Sequence, residues 1–333
     1  MPQVCGLITC QPSAFEIKAM QHLKKKILIT FNFGLVLLVY FIGFPTINYS
    51  QNEMIRVKTE LVTVPVSVID AQGQYITNLK LENFQLFENG IEQTNLVFKP
   101  VDEPLTIFFL IDISITMSDQ MPKLSSTIDS FVRQLNSENT LAALTFGSEI
   151  DYLFKPTKIK DLQKGTKLGK YALGSEARIY DGIWSALRKI RKFQGRKAII
   201  LFSDGVGIGK YYSAKDNYED ALESDAIIYT VQFDTSSDAG SSEIIKKSAD
   251  NATAQADDYM QKLADLTGGR RYQVADVSDL EKTFAQMTDE LGRQYSLGYY
   301  PKETGKNKEL RQIKVRVNVP NISVQSRDSY IVK

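Results

Sequence analysis

The chain has 333 residues, 43% of them apolar and 24% charged, which is the composition of an ordinary folded protein with room for one large or two modest domains. Collagen, coiled coil and disorder are excluded on composition; a net charge of +1, from 40 Lys and Arg against 39 Asp and Glu, supplies no single-sign field for a polyanion, so no nucleic acid partner is expected. The only cysteines are Cys5 and Cys10 and the only histidine is His22, which removes Cys/His zinc sites, disulfides, Ser–His or Cys–His nucleophile pairs and histidine acid–base groups from the rest of the chain.

Lys24, Lys25 and Lys26 precede an apolar stretch over residues 27–44 that is interrupted only by Thr30 and Asn32. A basic flank followed by such a run reads as an export segment, so the body of the protein is expected outside the cytoplasm, whether periplasmic, envelope-associated or secreted. Cleavage near Ser50 is the expected outcome. Retention as an anchor is the alternative, because the run is at the lower edge of a membrane span and Asn48-Tyr49-Ser50 is a poor small-x-small cleavage match. Any membrane contact would come through this segment alone. Met20 directly precedes the lysine cluster and offers an alternative start.

From Ile55 the pattern changes to period two, with Val57, Leu61, Val62, Val64, Val66 and Val68 spaced by polar residues, which predicts a strand. A turn at Asp70 to Gly73, an extended piece over 75–79 and a strand over 82–88 follow, and Asn89-Gly90 is a hairpin signal that lets 93–99 pair back. Residues 106–112, a continuous apolar run between Thr106 and Asp112, and the fully apolar 198–202 mark strands covered on both faces; 226–233 is a third buried strand, with shorter strands over 141–146, 152–154 and 269–273. Helical spacing occurs over 123–135, 181–193, 215–223, 257–266 and 280–291, with Trp184 on a core-facing side. Alternating strands return over 295–300, 312–319 and 322–326. The fold class is therefore α/β, a doubly wound parallel sheet inserted between N- and C-terminal β segments that join as a small β-sandwich, because neither β segment covers its own apolar face. The chain divides into an extension with the export segment (1–50), an N-terminal β segment (51–103), the α/β domain (104–293) and a C-terminal β segment (294–333).

Two central strands end in carboxylates, Asp112 and Asp204, and the first continues through Ser114 and Thr116. Alternate residues turn three oxygens toward one point, a set that suits a hard divalent cation such as Mg2+. The alternative reading of the same residues is helix capping. The run Gly205-Val-Gly207-Ile-Gly209-Lys210 satisfies neither phosphate-loop spacing, and the polar run 234–243 reads as a solvated loop on the same rim.

The runs Phe108-Phe-Leu-Ile-Asp112-Ile-Ser114-Ile-Thr116-Met117-Ser118, Ile179-Tyr180-Asp181-Gly182 and Ile199-Ile-Leu-Phe-Ser-Asp204-Gly205 resemble a von Willebrand factor type A domain over residues 104–293. The flanking pieces, 57–98 and Arg293-Gln-Tyr-Ser-Leu-Gly-Tyr-Tyr-Pro301 with 313–330, resemble the exported bacterial proteins called VWFA-related, of acidobacterial type. The resemblance implies a metal-ion-dependent adhesion site with Asp112, Ser114 and Thr116 in its first group and Asp204 in its last, holding Mg2+, or Mn2+ or Ca2+. Thr116 keeps the hydroxyl of the family's serine. Two positions depart from the pattern: Ile115 stands where the family has glycine, and the second-loop threonine falls on Ala177, which leaves Ser175 and Glu176 as substitute ligands.

The resemblance implies a binding module whose protein partner offers a carboxylate to the metal. A metal-free structural or assembly scaffold is the second reading, favoured by Ala177 and Ile115. A metal-dependent hydrolase is the third and weakest, since only Glu176 is placed to serve as a base, and no enzymatic activity is expected.

Overall fold

In a computed structural model the described residues are 61–99, 103–162, 173–235, 243–275, 278–302 and 305–332, without the side chains of 243–248 and 278. The Lys-flanked apolar stretch read as an export segment, Met20, Cys5, Cys10 and His22 lie outside them. No helix among the described residues is long and apolar enough to cross a membrane.

The chain enters as four short strands, β1 (Val62–Asp70), β2 (Phe84–Glu88), β3 (Ile91–Gln93) and β4 (Val97–Lys99). In β1 the period-two pattern is literal: Val64, Val66 and Val68 are fully buried. Asn89 and Gly90 both take positive φ, as a two-residue hairpin turn between β2 and β3 requires. Beyond Gln93 the structure departs from a single returning strand, because β3 pairs with β2 whereas β4 crosses to the other sheet. Asn95, also at positive φ, lies at this crossing.

The middle of the chain supplies β5 (Leu105–Asp112), β6 (Thr140–Phe146), β7 (Ile150–Lys158), β8 (Arg196–Ser203), β9 (Ile227–Phe233) and β10 (Arg271–Val274), in the order β10-β9-β8-β5-β6-β7. All neighbours are parallel except β6 and β7, whose short connection forces a hairpin and makes β7 an antiparallel edge. Every residue of β5 is buried, and alternate residues feed two cores. Ile107, Phe109 and Ile111 pack with α1 (Met121–Gln134) and α5 (Ser278–Arg293) on one face, where Phe131 and Phe284 stack at 4.6 Å. Phe108 and Leu110 pack with α2 (Ile179–Ile190), α3 (Ala214–Glu223) and α4 (Glu243–Asp265) on the other. Helix α4 begins at Glu243, well before residue 257; after Ile244 and Ile245 its early turns carry only alanine among polar residues, too weak an apolar stripe to reveal them from the sequence. Trp184 is half-buried at the surface of α2, stacked on Tyr212 at 4.0 Å, and is not a core residue.

The C-terminal strands are β11 (Tyr295–Tyr299), β12 (Leu310–Val317), β13 (Ile322–Ser326) and β14 (Ser329–Ile331). They interleave with the N-terminal ones into two four-stranded antiparallel sheets, β13-β1-β11-β4 and β14-β12-β2-β3. Between the sheets Val64, Val66, Phe84, Leu86, Tyr295, Leu297, Tyr299 and Ile313 form one core, so the two β segments make a single sandwich, as their uncovered apolar faces required. Inside it the buried Glu88 carboxylate pairs with Arg311 and accepts hydrogen bonds from the Tyr299 hydroxyl at 2.6 Å and the Tyr330 hydroxyl at 2.9 Å.

The sandwich is fastened to the end of α3 and to the turns that precede β9 and β10, where those parallel strands begin. Arg327 is buried and donates to the carbonyls of Leu222 and Ser224, both at 2.6 Å, and Gln325 donates to the carbonyls of Gly268 and Gly269. The opposite end of the sheet, where β5 and β8 finish, carries the candidate site.

Candidate functional site

Asp112 is the last residue of β5 and Asp204 directly follows β8, the strand paired beside it, so both carboxylates emerge at the carboxyl edge of adjacent central strands. Asp112 is fully buried. Its Oδ1 accepts a hydrogen bond from the Ser114 backbone N–H at 2.8 Å and its Oδ2 accepts one from the Ser203 hydroxyl at 2.5 Å. Burial pushes the Asp112 carboxyl up to about 6; the hydrogen bonds from Ser114 and Ser203 oppose that rise, and the neighbouring Asp204 charge adds to it. The Asp204 carboxylate accepts from the Val206 N–H at 2.9 Å and the Thr235 hydroxyl at 3.0 Å, and Gln232 holds its backbone carbonyl at 3.0 Å.

After Asp112 the chain turns through a single 3-10 turn, Ile115–Met117, that brings the Ser114 and Thr116 hydroxyls within 3.0 Å of each other. Ser114 is buried and Thr116 is exposed, so this pair of oxygens leads from the buried carboxylate to the surface. The four residues Asp112, Ser114, Thr116 and Asp204 thus lie on two adjoining loops at one end of the sheet. Among the described residues no group of three or more Asp, Glu, His or Cys is arranged to hold a metal ion, so a cation here would need the hydroxyls to complete its shell.

The second loop docks directly against the first. Gly174 donates its N–H to the Ile113 carbonyl at 2.9 Å and forms a bridge with Ser114. Ser175 and Glu176, which follow, are exposed. Among the described residues no hydrogen bond joins the Ser175 or Glu176 side chain to Asp112, Ser114, Thr116 or Asp204. Ala177 supplies only a backbone oxygen, and that carbonyl accepts the Ile208 N–H at 2.8 Å, which ties the second loop to the third.

Asp181 of the Tyr-Asp-Gly run holds the third loop in place. Its carboxylate accepts the backbone N–H groups of Lys210, Tyr211 and Tyr212 at 2.9–3.0 Å and forms a buried ion pair with Arg178, whose guanidinium also reaches the Ser148 carbonyl at 2.8 Å. Asp181 therefore organises the rim without presenting an oxygen to the site. Sequence reasoning missed two residues that touch the candidate ligands. Ser203 was legible as the hydroxyl next to Asp204, whereas Thr235, at the start of the polar run, carried no signal.

The oxygen-only donor set fits a hard divalent cation. A buried carboxylate whose proton is held by desolvation is what such a cation would relieve.

A family model of the von Willebrand factor type A domain matches residues 106–286, more than half of the chain. The chain belongs to that family. Among solved structures it is similar to the ArnB paralog VWA2 from Sulfolobus acidocaldarius, at 18% identity over 82% of this chain and 76% of that one, with a TM-score of 0.43. It is also similar to a von Willebrand factor type A protein from Catenulispora acidiphila, at 8% identity over 82% and 74% of the two chains with a TM-score of 0.43. A third is the open conformation of the pilus adhesin SpaC from Lactobacillus rhamnosus GG, at 8% identity over 79% and 47% with a TM-score of 0.45. No curated protein matches the chain in sequence.

Proposed function

We propose that this protein is an exported or envelope-associated binding module that recognises a protein partner through a divalent cation held by Asp112, Ser114, Thr116 and Asp204. The reading is supported by Asp112 at the end of β5 and Asp204 just after β8, the strand paired beside it, with Ser114 bonded through its N–H to Asp112 and through its hydroxyl to Thr116. Mg2+ or Mn2+ would supply a positive centre with an open position, and a partner carboxylate would complete its shell. In the chain itself, Ser203 and the Ser114 N–H orient the Asp112 carboxylate, and Val206 N–H and Thr235 orient that of Asp204. Ser175 and Glu176, exposed beside Ala177, are the candidates for the missing second-loop oxygen. Export rests on the Lys-flanked apolar stretch at 24–44.

Ala177 favours a second reading, a metal-free assembly scaffold, because its position offers no side-chain oxygen. The two separate in a thermal melt. A cation that binds only the folded chain raises stability by RT ln(1 + [L]/Kd), about 2.7 kcal/mol at 100-fold over Kd. Millimolar Mg2+ or Mn2+ is expected to raise Tm, Asp112→Ala to abolish the rise, and Ala177→Thr to bring it in at lower metal concentration. No response from either the native chain or Ala177→Thr would leave the scaffold reading in its place.

A further inference from the structure

Ten large apolar side chains are exposed among the described residues, and five of them, Ile115, Leu173, Val206, Ile208 and Tyr211, sit on the three loops around the candidate site. Their exposures run from 40% at Val206 to 70% at Tyr211, and isolated surface apolar residues would be spread more evenly. The loops form one continuous surface: Leu173 adjoins Gly174, which bridges to Ser114 beside Ile115, and Ala177 is bonded to Ile208.

The third loop explains the Gly-Val-Gly-Ile-Gly-Lys run that fits no phosphate loop. A Cβ on Gly207 would stand 2.5 Å from the Ala177 carbonyl oxygen, and one on Gly209 would stand 1.7 Å from that of Tyr212. The glycines face inward where backbone meets backbone, so Val206 and Ile208 between them face outward. Tyr211 follows on a backbone fixed by Asp181, with the Arg178 guanidinium 5.3 Å and the Lys210 ammonium 5.4 Å from its ring centroid. Among the described residues the Lys210 ammonium has no carboxylate partner; its contact is with that ring. A pre-positioned tyrosine loses little side-chain freedom on binding, and such residues anchor interfaces.

We infer that these five side chains form an apolar collar that receives the apolar or aromatic residues flanking the partner's carboxylate, with Tyr211 as its anchor and Lys210 as a second positive contact for an acidic partner. The inference rests on the proposed metal reading for the carboxylate and adds the chemistry of its neighbours. The ligand is then an acidic residue embedded in an apolar segment, as distinct from a polyacidic tract.

The test selects a phage-displayed random decapeptide library on the full-length protein in mild detergent with Mg2+. Enriched peptides are expected to carry Asp or Glu with Leu, Ile, Phe, Tyr or Trp within two positions. Tyr211→Ser combined with Ile208→Ser is expected to weaken a synthetic copy of the best peptide by about tenfold or more while leaving the Mg2+-induced rise in Tm unchanged. Enrichment of acidic peptides without apolar neighbours, no enrichment at all, or full affinity in the double variant would overturn the collar. Apolar peptides that bind equally well without Mg2+ and to Asp112→Ala, yet are lost in the double variant, would overturn the metal reading and leave the collar standing.

Discussion

Asp112→Asn should make the metal-free protein more stable at neutral pH, although it removes the central ligand of the proposed site. The Asp112 carboxyl rises from 3.8 to about 6 on folding, chiefly because burial penalises its charge. At about 1.4 kcal/mol per pH unit, keeping it ionised in the folded chain costs about 3 kcal/mol. The sign follows from the raised value: the folded state holds the proton more tightly than the unfolded state, so this penalty is absent below about pH 4. It grows as pH climbs, and is complete above about pH 6. Asparagine keeps an oxygen for the Ser114 N–H and carries no charge against Asp204. In EDTA at pH 7 the variant should therefore melt higher, by roughly 6–12 °C for a domain of this size if the whole penalty is recovered. At pH 4 the difference should vanish. Saturating Mg2+ should reverse the neutral-pH order, since only the native chain gains from the cation. A variant that melts lower than the native chain at pH 7 in EDTA, with a gap indifferent to pH, would refute the reasoning.

Two further outcomes follow from the packing. Asp181→Ala removes the acceptor of three backbone N–H groups and the partner of buried Arg178, and should cost about 3 kcal/mol; hydrogen exchange should accelerate at the amides of 210–212 before the sheet is affected. Arg327→Met strips donors from the Leu222 and Ser224 carbonyls and should cost about 2 kcal/mol or more in chemical denaturation, while the Mg2+ response at the far end of the sheet is retained.

The central sheet was legible because β5, β8 and β9 are buried on both faces and so read as unbroken apolar runs, and β1 because it alternates. The joining of distant β segments was legible from a deficit, namely apolar faces with nothing local to cover them. Residues 93–99 were misread as one returning strand, since a change of sheet turns on backbone conformation at Asn95 and leaves the apolar pattern unchanged. That Asp112 and Asp204 end adjacent strands at one edge was legible because spacing along the two apolar runs fixes where those strands stop. The roles of Asp181 and Thr235 were hidden, because their partners lie about 30 residues away along the chain and meet them only through loop packing.

The two passages between the sandwich and the α/β sheet have a mechanical consequence. The chain leaves through the end of β4 and returns through the start of β11, and these strands are registered neighbours, Lys99 opposite Ser296 and Val97 opposite Gly298. Traction on the rim draws both strands the same way along their own axes, so they do not slide past each other. Beyond the Arg327 and Gln325 fastenings, the load falls on the ladder between β11 and β1, from Val62 opposite Tyr299 to Val66 opposite Tyr295. Its hydrogen bonds lie across the direction of pull and must fail together in shear instead of opening one at a time, so a load between a captured partner and the sandwich meets the stiffest loading geometry a β-sheet has.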